Sequence, residues 1–242
     1  MGLFCKKALP HSKLFSMQPI DTLFLDILPK EQQKLWPILD QVPNSFTLYG
    51  GTAIALQLGH RISIDFDFFS RESIDPDRLY QKIPFLKKST VIQKSQDTLT
   101  CLVPIEDHTV KVSFFGGLDL GQIEYPKHAV DNNLKIASLI DLFGMKCSTV
   151  AARIEKKDYI DIDALITIGN QPLSQGLAAA KAIYGSQYTP ILTLKALSCF
   201  EGGDLGSLED EIKKRLLKEV ELINFDNIPS IQTKHKIGDE EQ

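Results

Sequence analysis

Cysteine is scarce in this chain and never paired. Cys5, Cys101, Cys147 and Cys199 are the four in 242 residues. Their scatter, with no histidine at ligand spacing, excludes a disulfide framework and argues against a zinc site. They read as free thiols, most of them buried, in a reducing cytoplasm. No apolar run approaches the roughly 18 residues of a membrane span, so no membrane partner is expected. The lysines near the N-terminus are not followed by an apolar stretch long enough for a secretory signal. Lys6 also stands where a myristoylation motif requires Ser or Thr. A dominant charge is missing too. The net charge of −4 supplies no global field for indiscriminate nucleic-acid binding, so any RNA contact needs a local basic patch. Internal repeats and low-complexity segments are absent. What remains is a globular composition, 43% apolar and 24% charged, sufficient for one sizeable core or a domain with a helical extension.

Against that plain background one stretch stands out, Phe46 to Ser70 (FTLYGGTAIALQLGHRISIDFDFFS). Phe46 to Tyr49 reads as a strand that ends in Gly50 and Gly51. Thr52 to Leu58 reads as a short helix, and Ile62 to Phe69 as a second strand. Alternation puts Ile62, Ile64, Phe66 and Phe68 on one side, with Ile64, Phe66 and Phe68 core-like. Asp65 and Asp67 then project together from the other. Residues i and i+2 on a strand lie roughly 6.5–7 Å apart, at about 3.3 Å per residue. That reach lets two carboxylates share one or two hard divalent cations such as Mg²⁺. The diglycine is the complementary part. Without Cβ atoms its backbone can approach a phosphate, and the N–H groups opening the next helix favour an anion. Thr52 could cap that helix or bond a phosphate oxygen.

Gly-Gly followed by Asp-x-Asp on a strand resembles the nucleotidyltransferase superfamily of the DNA polymerase beta type. More narrowly, GGTAIALQLGHRISIDFDFF is similar to the AbiEii/AbiGii toxin family of nucleotidyltransferases. A second block, LIDLFGMKCSTVAARIEKKDYIDIDALI, resembles that family's third and fourth motifs. The resemblance implies a Mg²⁺-dependent transfer of a nucleoside monophosphate from an NTP to an acceptor hydroxyl, on a tRNA end or a protein. It also implies a toxin role with a separately encoded antitoxin as partner. On it, Asp65 and Asp67 hold the metal, and Gly50, Gly51 and Thr52 hold the phosphates with Arg61 and Ser63 beside them. Lys146 neutralises the triphosphate, and Asp158 orients Lys146 or serves as general base. Arg153 and Lys156 grip phosphates of the nucleotide or of an RNA end. From the residues alone, Lys146 would be a solvent-facing lysine, and Asp158 with Asp161 a surface salt-bridge cluster at a helix N-terminus. Two other readings stay open: an adenylyltransferase of proteins or small molecules without a toxin role, and a degenerate fold kept as a binding module.

The rest of the chain supports an α/β (α+β) fold, a mixed sheet flanked by helices with a helical C-terminal part. Residues 1–16 read as a poorly ordered extension or a misplaced start, 17–135 as the sheet core, 136–225 as the helical part and 226–242 as a disordered tail. A helix is expected over 30–41, with Trp36 as core. Asp75-Pro76 signals another over 77–83. Strands follow at 90–94, 98–105 and 109–115, the last two a hairpin. Where polymerase-beta-type enzymes often place a third carboxylate on the last strand, this sequence has Lys111 and Ser113. Ser138 with Asp141 forms a capping box for a helix over 139–150. Further helices are expected at 158–168, with Asp163 facing solvent, and at 174–184, 190–200 and 208–223, the last capped by Ser207.

Overall fold

The computed structural model describes residues 22–239. The expected extension over 1–16 and a start at Met17 lie outside them. Lys30–Leu35 forms α1, and the chain then tightens into a 3-10 helix, Trp36–Gln41. Pro37 has no N–H for an α-helical ladder, so the single helix expected over 30–41 changes type there. Trp36 is buried as a core residue, its indole N–H donating to Asp131 at 2.6 Å. Next come β1 (Thr47–Tyr49), α2 (Gly50–Leu58) and β2 (Asp65–Phe69).

Two expectations change in this unit. The helix opens at Gly50, not Thr52, and the strand starts at Asp65, not Ile62. Tyr49 pairs with Asp67 at the end of β1, and Asp65 is the first residue of β2 to pair with the neighbouring strand on its other side. Residues 62–64 pair with neither neighbouring strand. Ile62 and Ile64 are 67% and 63% exposed, so Ile64 is not core.

Asp75 caps α3 (Pro76–Lys82) by accepting from the backbone N–H groups of Asp77 and Arg78. Strands β3 (Thr90–Ser95), β4 (Thr98–Ile105) and β5 (His108–Phe115) form the expected meander. Three short strands follow, β6 (Gly121–Gln122), β7 (Lys127–His128) and β8 (Lys135–Ile136). The sheet runs β3-β4-β5-β2-β1-β8-β7, with β2–β5 and β1–β8 parallel and the other pairs antiparallel. Phe66, Phe68 and Phe114 stack on its buried face, with 5.3 Å between the Phe68 and Phe114 centroids.

The helical part comprises α4 (Leu139–Ala152), α5 (Lys156–Thr167), α6 (Leu173–Tyr184), α7 (Pro190–Leu197) and α8 (Asp210–Glu221). Ser138 caps α4 as read from the sequence. Asp141 in the same box also accepts from the N–H groups of Ile123 and Glu124, which pins the preceding loop. No side chain caps α8, and the Ser207 hydroxyl donates instead to the Asp204 carbonyl. Asp163 does not face solvent. It is buried under α8 and accepts two bonds from Arg215, at 2.8 and 2.6 Å. The tail expected to be disordered from 226 is placed as far as 239. His235–Lys236 forms β9 against β6, the His235 ring stacks on Tyr125 at 3.8 Å, and Ile237 is buried. One cluster of buried apolar side chains continues from Leu28 through both the sheet and the helices.

Candidate active site

The β1–α2 turn is shaped by its two glycines, each facing a different neighbour. Gly50 has φ +75, a left-handed conformation that costs other residues free energy. A Cβ there would sit 3.0 Å from Asp67 Oδ2. A Cβ on Gly51 would collide with the Arg61 guanidinium and lie 3.3 Å from Asp161 Oδ2. The turn thus joins an acidic wall to a basic one. Both line a cavity of about 550 Å³ between the sheet and α4.

The acidic wall comes from β2 and β5. Their parallel register sets Asp65 opposite Lys111 and Asp67 opposite Ser113. Lys111 Nζ lies 3.5 Å from Asp65 Oδ2. Burial pushes the Asp67 carboxyl up from its ordinary range, and the charge of Asp65 pushes it further. Lys111, a bond from the Ser113 hydroxyl and Lys157 act in the opposite direction. Thr52 is buried. Its hydroxyl donates to the backbone carbonyl of Asp65, and Ser63 Oγ donates to Thr52 Oγ1 at 2.8 Å. Those bonds tie α2 to the start of β2. Thr52 is not the helix cap, and its hydroxyl proton is already committed within the protein.

The basic wall is built on α4 and α5. Asp158 and Asp161, three apart on α5, share its inward face and are 0% exposed. Lys146 bridges them, with Nζ 2.5 Å from Asp158 and 2.7 Å from Asp161. Arg153 donates twice to Asp158, at 2.8 and 3.1 Å. Arg61 closes a bidentate pair on Asp161, at 2.6 and 2.9 Å, and His60 Nε2 donates to the same carboxylate at 2.7 Å. Burial works against the charge on both carboxylates, yet each stays below its ordinary range. His60, Lys146 and Arg61 hold Asp161 down, and Arg153 and Lys146 hold Asp158 down. Counted with the Glu155–Lys157 pair that also reaches Arg153, four cations, Arg61, Lys146, Arg153 and Lys157, against three carboxylates, Asp158, Asp161 and Glu155, leave one positive charge over.

Of the residues singled out in the sequence, Gly50, Gly51, Thr52, Arg61, Ser63, Asp65, Asp67, Lys146 and Arg153 line this one cavity. Asp158 stands behind it, with both oxygens held by Lys146 and Arg153. That arrangement suits an orienting role, and the buried carboxylate does not line the cavity where a base would act. Lys156 points elsewhere, its Nζ 2.8 Å from the Ser207 carbonyl, and Lys157 takes the cavity position. Lys157 pairs with Glu155 at 2.9 Å, not with Asp161 as an i,i+4 pattern would have it. His60 is the member that residue-by-residue reading passed over, and Asp161, read there as part of a surface cluster, is fully buried. The signal for them was His-Arg directly ahead of the acidic strand, together with the second carboxylate of Asp158-x-x-Asp161.

Hard oxygen donors at Asp65, Asp67 and Ser113, on a wall where two carboxylates repel, fit Mg²⁺ in chemistry. Among the described residues no group of three or more His, Cys, Asp or Glu could hold a metal. The pair would therefore need oxygens from a bound phosphate to complete a shell. A diglycine turn thus stands between an acidic strand pair and a basic cluster, all on one cavity.

Solved structures share the fold. MenT4, a nucleotidyltransferase toxin from Mycobacterium tuberculosis H37Rv, is 15% identical with a TM-score of 0.53, over 84% of each chain. A provisionally assigned nucleotidyltransferase from H. pylori is 18% identical with a TM-score of 0.52, over 79% of this chain and 92% of that one. The family model described as nucleotidyl transferase AbiEii toxin, Type IV TA system, matches residues 38–235, and the chain belongs to that family. A curated relative, an uncharacterised protein of Aquifex aeolicus (strain VF5), is 35% identical over 121 residues. The match spans 49% of this chain and 56%, little over half, of the relative.

Proposed function

We propose that this chain transfers a nucleoside monophosphate from an NTP to an acceptor hydroxyl. One observation carries the reading. A Gly-Gly turn with its N–H groups opening α2 sits between Asp65–Asp67 and the Arg61–Lys146–Arg153 cluster, all on one cavity. The triphosphate would lie along the diglycine, with the net positive wall facing its charge. Arg61 is bonded to Asp161 and serves best as a wall of that cradle. Lys146, 8% exposed between two carboxylates, contributes its charge at fixed position. Asp65 and Asp67 would hold Mg²⁺, which when bound supplies charge neutralisation and polarises the α-phosphate. The acceptor oxygen bonds to the α-phosphorus as the bond to pyrophosphate breaks, and the proton of the acceptor hydroxyl passes to solvent water. Placing the attacking oxygen is the protein's main task in such a transfer.

Among acceptors, an RNA end such as that of tRNA is favoured over a protein, because Lys111, Arg153 and Lys157 line the mouth. A toxin role, with a separately encoded antitoxin, follows the family's description. Cytoplasmic residence accords with the unpaired cysteines. Among the described residues no helix is long and apolar enough to cross a membrane. Two alternatives make different predictions for one assay, an adenylyltransferase of proteins or small molecules without a toxin role and a degenerate binding module. Purified protein is incubated with each α-³²P-labelled NTP, Mg²⁺ and either total RNA or cell lysate. Label on RNA, lost in Asp67→Asn, is the expected result. Label on protein moves the acceptor, and label nowhere sinks the enzymatic reading.

A further inference from the structure

We propose that Lys111 restricts the acidic wall to a single divalent cation, one that arrives with the nucleotide. This rests on the transferase reading above. The parallel β2–β5 register is the first ground: it puts Lys111 beside Asp65, where its ammonium lies 3.5 Å from Oδ2, and the uncharged Ser113 beside Asp67. A cation at that oxygen competes with the ammonium for the same lone pairs, and like charges so close repel strongly. The second ground is the fate of the other carboxylates near the cavity. Asp158 and Asp161 are buried and committed to Lys146, Arg153, Arg61 and His60, so neither can turn towards a second ion. Glu155, at the rim, is paired to Arg153 and Lys157. Two carboxylates against one ammonium leave a single negative charge, enough to help hold one Mg²⁺ only when phosphate oxygens share it.

The wall is then neither a preloaded metal site nor a two-ion site. It stays weakly occupied until a nucleotide enters, and cation and nucleotide bind together. Lys111 is a positioning residue here, since it acts through Asp65.

Bound Mn²⁺ is counted by electron paramagnetic resonance, on the full chain, alone and with each α,β-methylene NTP. Wild type should bind Mn²⁺ weakly alone and one ion per bound nucleotide. Lys111→Met keeps the apolar stem, and removing its charge should tighten Mn²⁺ binding by nucleotide-free protein about tenfold. Ser113→Asp should raise the count with nucleotide from one ion to two. Circular dichroism and thermal melting of both variants verify that each is folded. Two ions per nucleotide in wild type, or an unchanged affinity in folded Lys111→Met, overturns the inference while the transferase reading stands. No nucleotide bound by wild type with or without Mn²⁺ overturns both.

Discussion

The two walls of the cavity are made of the same kinds of residue and are finished to different degrees. On the basic wall every carboxylate oxygen of Asp158 and Asp161 has a cationic partner, and both acids are held below their ordinary range despite full burial. On the acidic wall Asp67 is pushed up by burial and by Asp65, and the ammonium of Lys111 offsets only part of that. One wall is assembled by folding. The other holds repulsion that a bound cation would relieve. Rigid placement and stored repulsion are what a site for a metal–triphosphate complex needs on its opposite sides, and they predict opposite responses to mutation.

The largest effect should come from breaking the finished wall. Asp161→Asn removes the charge that His60, Arg61 and Lys146 share and leaves buried cations without their counter-ion. The expected loss is about 3–5 kcal/mol of folding stability, measured by urea denaturation. On the unfinished wall the same kind of change should do the reverse. Asp67→Asn should lower transfer about a thousandfold or more while raising the melting temperature at pH 7, because it removes a buried repulsion. If both variants lose stability alike, the two walls are not different in kind.

Gly51→Ala sharpens the contrast at the seam. Its new methyl would displace Arg61 from Asp161, so the damage should fall on the basic wall, at about 1–3 kcal/mol. Gly50→Ala meets Asp67 instead and also bears the left-handed φ of +75. Its larger effect should be on nucleotide binding, read by titration with an α,β-methylene NTP.

The acidic wall was legible in the sequence because its determinants are local. Strand alternation aims Asp65 and Asp67 together, and the diglycine precedes them by a helix and a turn. The capping signals at Asp75 and Ser138 were local as well, and both were made as read. The basic wall was not legible in this way. Asp161 meets Arg61 and His60 across about a hundred residues, and i,i+3 aspartates at a helix N-terminus are equally common on solvated faces. Lys157 rather than Lys156 faces the cavity because one residue along a helix turns the side chain by about 100°. Asp163 likewise found its partner, Arg215, on a helix 52 residues later. Ile62 and Ile64 alternate like strand residues, yet they pair with neither neighbouring strand. Periodicity describes one strand and says nothing of its partners.

The smallest effect, and the most direct measure of the difference, is in the pH dependence of stability. Asp67 has a folded pKa above its unfolded value near 3.8. Between those two values the folded state holds more protons, so stability falls as pH rises through that window. Asp158 and Asp161 have folded values below 3.8. Their contribution is complete above the unfolded value and drains away as pH falls towards the folded ones. Wild type therefore carries two opposed slopes, one on each side of the ordinary carboxylate range. Asp67→Asn removes only the upper one. The stability difference between this variant and wild type should grow from near pH 4 upward and then level off, as measured by thermal melting from pH 3 to 8. A difference that is flat across that range would mean Asp67 is not held in repulsion, and the two walls would then not differ in charge balance.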